Sequence, residues 1–354
     1  MYVELKNINK SFESYQASKD VCFGVEKGKL SALLGPSGSG KTTILRMIAG
    51  LENPDSGEIL IDGKVVNDIP ASRRNIGFVF QNYALFRYMT VYDNIAFGLR
   101  VQKKDKRYCV ERVRELIELT GLKGLEKRYP SQLSGGQRQR VAFARSLAPT
   151  PGLLLLDEPF AAIDAKVRKE LRTWLRQMIN IVGVTGIFVT HDQDEAVEVA
   201  DEIIITNQGR VEQVGSPAQI YKNPESSFVA RFIGESALIE NYDALIGFDR
   251  VPNVETAIVR PEFVEAFKSD NEKYRDVMDV TEQGVIKEIS FRGGHLEVKL
   301  DVGNGIILTT NRSLERRPIS IGESMRVLVY RLYLFDGAKS YLLPNKALDG
   351  RTIE

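Results

Sequence analysis

Histidine, cysteine and tryptophan are scarce in this chain, whose 354 residues include two histidines, two cysteines and one tryptophan. Because only His191 and His295 are available, any site that needs several imidazole ligands is excluded. Cys22 and Cys109 lie far apart and match no metal-ligand spacing, so we expect two thiols in a reducing compartment. Trp174 belongs to a set of apolar residues that recur at helical spacing, and it is expected to pack in the core or at an interface.

Long apolar runs and a surplus of charge of one sign are also missing. The 48 basic residues nearly balance the 47 acidic residues, so the net charge of +1 creates no bulk field that attracts nucleic acid or anionic lipid. No run approaches the roughly 18 apolar residues of a membrane-spanning helix, and residues 1–6 lack the apolar stretch of a secretory signal. We therefore expect a chain that works where it is made and that serves a membrane, if at all, as a peripheral subunit.

The length suggests two domains, since a domain typically has roughly 100–200 residues. Up to about residue 235, short apolar runs such as Leu30–Leu34 and Leu153–Leu156 alternate with helical patterns such as Lys41–Ala49. This alternation predicts an α/β fold with a mostly parallel sheet. We expect this first domain to span residues 1–235 and to include a largely helical lobe at about 82–150.

The pattern changes after residue 235. Short alternating stretches at 285–291 and 296–300 flank a turn at Arg292-Gly293-Gly294, and a further strand-rich stretch lies at 325–335. Short strands with glycine turns predict a small antiparallel sandwich or barrel. We expect this second, β-rich domain to span residues 236–354.

A glycine-rich segment between a predicted strand and a predicted helix, residues 35–42, fits the phosphate-binding pattern G-x-x-x-x-G-K-[ST] at every position. Its backbone N–H groups and the helix N-terminus are suited to holding phosphates. Lys41 is expected to reach the β- and γ-phosphates, and Thr42 to supply a hydroxyl to Mg²⁺. The residues expected to bind ATP at this segment are Gly35, Pro36, Ser37, Gly38, Ser39, Gly40, Lys41, Thr42 and Thr43.

Two carboxylates follow the apolar run Leu153–Leu156, at the strand end where α/β proteins bind ligands. After a phosphate-binding loop, such a pair is typical of nucleotide hydrolysis. Asp157 is expected to hold Mg²⁺, and Glu158 to polarise the attacking water.

A second segment of small residues, Ser134-Gly135-Gly136-Gln137, precedes an amphipathic stretch and again suits a phosphate at a helix N-terminus. Together with the phosphate-binding loop, it resembles the signature sequence of ATP-binding-cassette (ABC) ATPases, and the likeness covers about residues 1–235. The other motifs of that family follow in order: Phe12 matches the aromatic residue on adenine, Gln81 the Q-loop, Asp164 the D-loop and His191 the switch histidine. In the D-loop, Ile163 stands where the family usually has leucine; we expect packing to adjust and function to survive.

The resemblance implies a P-loop NTPase cassette that works as a head-to-tail dimer with two ATP molecules between the copies. Glu158, His191 and Gln81 would be catalytic, and Thr42, Gln81 and Asp157 would bind Mg²⁺. Across the dimer, the residues implied to contact the other copy's ATP are Ser134, Gly135, Gly136, Gln137 and Asp164.

The second half and several local stretches resemble importer cassettes. Residues 217–234 look like the helical exit of these cassettes, and the tail looks like their accessory oligonucleotide/oligosaccharide-type barrel. Residues 78–87, 167–176 and 212–215 are most similar to the sulfate/thiosulfate branch, while molybdate, sugar, polyamine and iron importers remain alternatives. The likeness implies two membrane permease subunits, an external substrate-binding protein and no nucleic acid.

The resemblance places the chain at the cytoplasmic face of the cell inner membrane, or at the stromal face of the chloroplast envelope if it is plastid-encoded. Non-transport members of the family are less similar to this chain. DNA-repair types split the cassette with long coiled coils, and ribosomal types carry two cassettes, whereas this chain has one compact set of motifs.

Overall fold

A computed structural model describes residues 1–161, 164–337 and 339–351. The chain forms two compact units, Met1–Ala218 and Gln219–Glu354. This division falls earlier than the boundary expected near residue 235. The reason is that the helix Ser227–Phe232 contributes Ala230 to the apolar core of the second unit, next to residues such as Ile239 and Val259.

The first unit is built on these elements. Its strands are β1 (Val3–Phe12), β2 (Tyr15–Val25), β3 (Leu30–Leu34), β4 (Ser56–Ile61), β5 (Lys64–Val65), β6 (Ile76–Val79), β7 (Leu153–Asp157), β8 (Thr185–Thr190), β9 (Glu202–Asn207) and β10 (Arg210–Gly215). Its helices are α1 (Lys41–Ala49), α2 (Val91–Val101), α3 (Lys106–Leu119), α4 (Gly135–Leu147), α5 (Ala165–Val182), α6 (Gln193–Val199) and the start of α7 (Pro217–Lys222). Short 3₁₀ turns lie at Ala71–Arg73 and Pro130–Gln132.

A central sheet with the strand order β10-β9-β3-β8-β7-β6 positions the site. All neighbouring strands from β9 to β6 are parallel, and only β10 pairs antiparallel, with β9. Strands β3, β7 and β8 are buried along their whole length, as expected for parallel strands covered on both faces. The α/β prediction is therefore confirmed, together with the predicted strands at Leu30–Leu34 and Leu153–Leu156 and the predicted helix at Lys41–Ala49.

Two further parts of the unit flank this sheet. Strands β1, β2, β4 and β5 form an antiparallel sheet in the order β2-β1-β4-β5, which the sequence patterns did not indicate. Helices α2, α3 and α4 pack on one another and form the helical lobe expected at about 82–150. Trp174 on α5 is buried and packs edge-on against Phe143 of α4, which confirms its expected role in packing.

The second unit is rich in β-structure, as predicted. Its elements are the remainder of α7, α8 (Ser227–Phe232), β11 (Ala237–Ile239), β12 (Ala257–Val259), β13 (Val264–Phe267), β14 (Glu282–Phe291), β15 (His295–Asp301), β16 (Ile307–Ser313), β17 (Ser324–Val329), β18 (Arg331–Asp336) and β19 (Lys339–Pro344). Short 3₁₀ segments lie at Tyr242–Ala244, Pro261–Phe263, Glu272–Val280 and Lys346–Leu348. An antiparallel sheet in the order β13-β17-β14-β15-β16 curves into a nearly closed barrel, and a second sheet runs β11-β12-β18-β19.

A fully buried arginine, Arg260, ties the entry helices of this unit to its sheets. Its guanidinium lies 3.8 Å from the centre of the Tyr221 ring and donates to the carbonyl oxygens of Tyr221 and, at 3.3 Å, of Ile233. Tyr333 on β18 adds a bond from its hydroxyl to the carbonyl oxygen of Lys222, at 2.9 Å. These contacts are the physical reason why residues 219–235 pack with the barrel.

Candidate active site

The glycine-rich segment 35–42 leaves the carboxyl end of β3 and enters α1 at Lys41, as predicted. Gly40 takes up a left-handed conformation with φ 91° at the N-cap of α1, and a Cβ atom there would lie 1.9 Å from the carbonyl oxygen of Ala17. Gly35 is equally constrained, since its Cβ would lie 2.2 Å from the carbonyl oxygen of Thr206. The loop therefore depends on glycine at both ends, and no side chain caps the first N–H groups of α1.

Lys41 lies inside this loop and is almost completely buried. Its Nζ donates to the carbonyl oxygens of Gly35 and Pro36, both at 2.8 Å. Burial lowers the pKa of Lys41, while the negative charge of Glu158 acts in the opposite direction. The loop thus surrounds an ammonium group whose partners in this structure are two backbone carbonyl oxygens.

The carboxyl ends of neighbouring parallel strands bring the other predicted residues to the same sheet edge. Asp157 is the last residue of β7, and its Oδ1 accepts a hydrogen bond from the Thr42 hydroxyl at 3.2 Å. Burial raises the pKa of Asp157, partly offset by this bond. Asp157 and Thr42, which lie 115 residues apart in the chain, therefore form one oxygen-rich pair beside the loop.

Glu158 brings Gln81 and His191 together. Its Oε2 accepts from Nε2 of Gln81 at 2.8 Å, and its Oε1 lies 3.5 Å from Nδ1 of His191. Gln81 follows β6 and His191 follows β8, the two strands on either side of β7. Glu158 itself has φ 44°, so the chain turns sharply at the strand end and directs this carboxylate between its two neighbours.

A hydrogen-bonded ring behind His191 was not recognised from the sequence. The hydroxyl of Thr190 donates to the buried carboxylate of Glu195 and accepts the N–H of Asp192 at 3.0 Å. Oδ1 of Asp192 accepts the N–H of Glu195 at 3.1 Å and caps α6. The ring fixes the backbone on both sides of His191 while leaving most of its imidazole exposed. A Thr-His-Asp run before a helix was the available signal, because threonine and aspartate favour such local bonds.

Two aromatic residues stand at the end of the β1–β2 hairpin, near the loop. Phe12, predicted to contact adenine, is partly exposed, and Nζ of Lys10 lies 5.1 Å from its ring centre. Its cross-strand partner is Tyr15, whose hydroxyl donates to the carbonyl oxygen of Gly38 in the loop. Tyr15 was missed because its place beside the loop depends on hairpin pairing rather than on proximity in sequence.

The signature segment stands apart from this cluster. Ser134 caps α4, accepting the N–H of Gln137 at 3.2 Å, while Oε1 of Gln137 accepts the N–H of Ser134 at 3.0 Å. Gly136 is buried against α5, where a Cβ would lie 3.3 Å from Val167. Within the described ranges, no hydrogen bond or ion pair joins Ser134–Gln137 to the glycine-rich loop. Ser134 is exposed, so this helix N-terminus faces outward.

Of the D-loop residues 161–164, the structure describes Ala161 and Asp164. Asp164 is exposed and caps α5 through a bond from the N–H of Val167 at 3.0 Å. Ile163, the departure from the family pattern, lies outside the described residues, as does Ala162.

The segment that follows Gln81 adopts an unusual backbone conformation. Tyr83 and Ala84 both have positive φ, at 63° and 44°, which costs a non-glycine residue roughly 1–2 kcal/mol. Arg145 on α4 donates to both of their carbonyl oxygens. Asn94 on α2 is fully buried, and its amide bonds to the backbone of Phe86 and of two further residues, Met89 and Thr90. No sequence motif marked these contacts, although Asn94 interrupts an apolar helical stripe, which is a usable signal.

Comparison with known proteins agrees with this geometry. Residues 18–161 match the ABC transporter domain family. The sulfate/thiosulfate import ATP-binding protein CysA of Synechocystis is 49% identical over 300 residues, covering 85% of this chain and 84% of that protein. The protein of the same name from Pseudomonas aeruginosa is 47% identical over 298 residues, covering 82% of this chain and 88% of its own length.

Solved structures match the cassette part. A dimeric post-hydrolysis state of the ATP-binding cassette MJ0796 bound to ADP and Pi has a TM-score of 0.54 and 34% identity, over 61% of this chain and 98% of that one. CbiO1 from Clostridium perfringens, part of the transporter complex cbiONQ, has a TM-score of 0.58 and 31% identity, over 62% and 90% of the two chains. On this similarity and on the site that accompanies it, the chain belongs to the ABC transporter family and is an ATPase subunit of that family.

Proposed function

We propose that this chain is the ATP-hydrolysing subunit of an importer that takes up sulfate or thiosulfate through separate membrane permease subunits. The cargo assignment rests on the length of chain over which the similarity extends. Identity of 49% extends over 300 residues, well beyond the 18–161 segment that characterises the family at large, to a relative whose name specifies sulfate/thiosulfate import. The cassette does not touch the cargo in this proposal, so the cargo assignment rests on this relationship.

ATP is held by the glycine-rich loop. The uncapped N–H groups at the start of α1, including those of Thr42 and Thr43, face the phosphates together with the ammonium of Lys41. Ser37, Gly38 and Ser39 supply the middle of the loop, and Phe12 offers its ring to adenine. Tyr15, bonded to Gly38, is added here to the residues that border the nucleotide.

Glu158 is the residue that activates water for attack on the γ-phosphate. Its carboxylate has an amide donor from Gln81 on one oxygen and the His191 imidazole near the other, so its direction is fixed. His191 would contact the γ-phosphate from the adjacent strand end, and this role is supported by the Thr190–Glu195 bond, which holds the backbone beside it. Such orientation of a base and its water is what a hydrolytic site requires.

The residues beside the loop fit Mg²⁺. The Thr42 hydroxyl and Asp157 carboxylate already contact each other, and they are hard oxygen donors of the kind this ion prefers. Gln81, whose amide nitrogen donates to Glu158, would offer its carbonyl oxygen as a third donor. When bound, the ion supplies charge neutralisation at the β- and γ-phosphates.

A second copy of the chain completes each site. Ser134, Gly135, Gly136 and Gln137 form a helix N-terminus whose cap, Ser134, is exposed, and Asp164 is exposed as well. Among the described residues, no hydrogen bond joins this segment to the glycine-rich loop of its own chain. A helix N-terminus favours an anion. We infer that these residues contact the ATP of the partner copy, as the similarity to a cassette solved as a dimer supports.

The permease contact lies next to Gln81. Phe86 is partly exposed and Tyr88 is 96% exposed, in the segment that links Gln81 to the helical lobe. Exposed aromatic residues in one patch favour a protein partner. We propose that each of two permease subunits docks here, and that an external binding protein delivers the cargo.

In this assembly the chain sits at the cytoplasmic face of the inner membrane, or at the stromal face if it is plastid-encoded. Within the part of the chain that the structure describes, no helix is long and apolar enough to cross a bilayer.

Uptake of labelled anions tests this proposal. A strain lacking the chain is complemented with the parent sequence or with Glu158→Gln, and uptake of sulfate, thiosulfate and molybdate is measured. We expect the parent alone to restore sulfate and thiosulfate uptake. Restoration of molybdate uptake only, or of no anion, contradicts the proposed cargo, and equal restoration by Glu158→Gln contradicts the role of Glu158.

A further inference from the structure

The backbone between Gln81 and the helical lobe is held in a conformation that it would not adopt by itself. Two consecutive non-glycine residues, Tyr83 and Ala84, are left-handed, and neither has a side chain that bonds its own backbone there. L-residues rarely take up this conformation without support from their surroundings. Gln81, whose amide donates to Glu158 at 2.8 Å, lies only two residues before this turn.

Arg145 supplies that support. Its Nη1 donates to the carbonyl oxygen of Ala84 at 2.8 Å and its Nη2 to that of Tyr83 at 2.9 Å. The planar guanidinium thus bonds both left-handed residues at once, a fork geometry that lysine cannot reproduce. The guanidinium also lies 5.3 Å from the centre of the Phe86 ring.

The surroundings of Arg145 show that its guanidinium serves this backbone rather than a carboxylate. Among the described residues it forms no ion pair, and burial lowers its pKa. Arg145 is half-buried, and partly removing a charge from water without an acidic partner is costly unless other polar groups satisfy it. Its position is therefore explained by the two carbonyl oxygens and the aromatic ring.

We propose that Arg145 is a positioning residue that ties the Q-loop to the signature helix and thereby sets the direction of Gln81 against Glu158. Arg145 lies in the last turn of α4, which is capped by Ser134 and contains Gly136 in its first turn. Tyr83 also donates from its hydroxyl to the carbonyl oxygen of Ala161 at 3.4 Å, close to the D-loop. The inference rests on the proposed function, because it assumes that Gln81 and Glu158 act in hydrolysis.

The test compares Arg145→Lys with Arg140→Lys in the assembled transporter. Arg140 is a matched control on the same helix, since it also donates to a carbonyl oxygen, that of Thr120, and lies 5.1 Å from an aromatic ring centre, that of Trp174. For Arg145→Lys we expect kcat for ATP to fall about tenfold or more, because a small misplacement of Gln81 is sufficient. KM should stay within about twofold, because the glycine-rich loop is untouched.

Arg140→Lys should leave kcat and KM near the parent values. A kcat for Arg145→Lys within about twofold of the parent overturns the proposal. An equal loss of kcat in both variants also overturns it, because the effect would then reflect general destabilisation of α4.

Ala84→Gly provides the rescue. Glycine takes up positive φ without support. The double variant Arg145→Lys with Ala84→Gly should therefore have a kcat about threefold or more above that of Arg145→Lys alone. No regain, or failure of both Arg145→Lys forms to fold, shows a structural role and overturns the proposal. Glu158→Gln is measured in parallel: if it hydrolyses ATP normally, the proposed function fails, whatever the Arg145 variants do.

Discussion

Replacing Glu158 by glutamine separates chemistry from structure at this site. The carboxylate accepts from Gln81 at 2.8 Å and lies 3.5 Å from Nδ1 of His191. A glutamine can satisfy both neighbours in one orientation, with its oxygen accepting from Gln81 and its amide donating to His191. The variant keeps the shape and the contacts but loses the group that orients and deprotonates water.

The expected magnitudes follow from that difference. One charge-assisted bond becomes a neutral one, which changes the free energy of unfolding by about 1 kcal/mol. Loss of a general base lowers kcat by about 10²–10⁴-fold, or about 3–5 kcal/mol in the activation free energy. The KM for ATP should stay equal or fall, because a negative charge near the phosphates is removed.

The assay is steady-state hydrolysis by the assembled transporter, together with ATP binding and thermal unfolding of the full chain. Glu198→Gln is the matched control, since Glu198 is an exposed carboxylate paired with Arg172 on the neighbouring helix. Hydrolysis by Glu158→Gln within about threefold of the parent would refute the reasoning. A loss of ATP binding would refute it too, because the contacts would then have been essential for binding rather than for chemistry.

Three further predictions concern the loop, the helical lobe and the switch region. Lys41→Ala should raise the KM for ATP by about tenfold or more, since it removes the ammonium inside the loop; an unchanged KM in steady-state kinetics, with Lys29→Ala as control, contradicts this. Asn94→Ala should lower the free energy of unfolding by about 3 kcal/mol, because it leaves the backbone of Phe86, Met89 and Thr90 without its partners; a urea titration that shows less than about 1 kcal/mol speaks against it. Burial raises the pKa of the Glu195 carboxyl above its value in the unfolded chain. The folded parent therefore holds the carboxyl proton more tightly than the unfolded chain does, and it loses stability as the pH rises through the folded pKa. Glu195→Gln should therefore gain stability relative to the parent as pH rises from about 4 to 7, and urea titrations showing a constant or opposite difference would exclude this.

The strands and the phosphate-binding segment could be predicted because their causes are local. Leu30–Leu34 and Leu153–Asp157 are buried on both faces, so an unbroken apolar run is their signal. Gly35 is required by the close approach of Thr206 and Gly40 by that of Ala17, and the same glycines appear in the motif. The neighbours of Glu158 were predicted through the family resemblance, since each motif follows a strand of the parallel sheet.

Other parts of the site could not be predicted because their causes are distant in the chain. Tyr15 reaches Gly38 through the pairing of a hairpin, and Arg145 reaches Tyr83 across 62 residues. Tyr83 and Ala84 are left-handed although neither is glycine, so the sequence carries no signal for this turn. The edge of the second unit near residue 219 depends on Arg260, which bonds the carbonyl oxygens of Tyr221 and Ile233 some 39 and 27 residues earlier.

The sequence by itself determined the chemistry: a phosphate-binding loop, a pair of carboxylates after a buried strand, and one of only two histidines just beyond another strand. Tertiary structure decided which of these groups touch. The parallel order β3-β8-β7-β6 places Lys41, His191, Glu158 and Gln81 at one edge. The signature residue Ser134 is exposed and, among the described residues, is not hydrogen-bonded to the glycine-rich loop. The physical reason is that hydrogen bonding between strands, and not distance along the chain, sets which strand ends are neighbours.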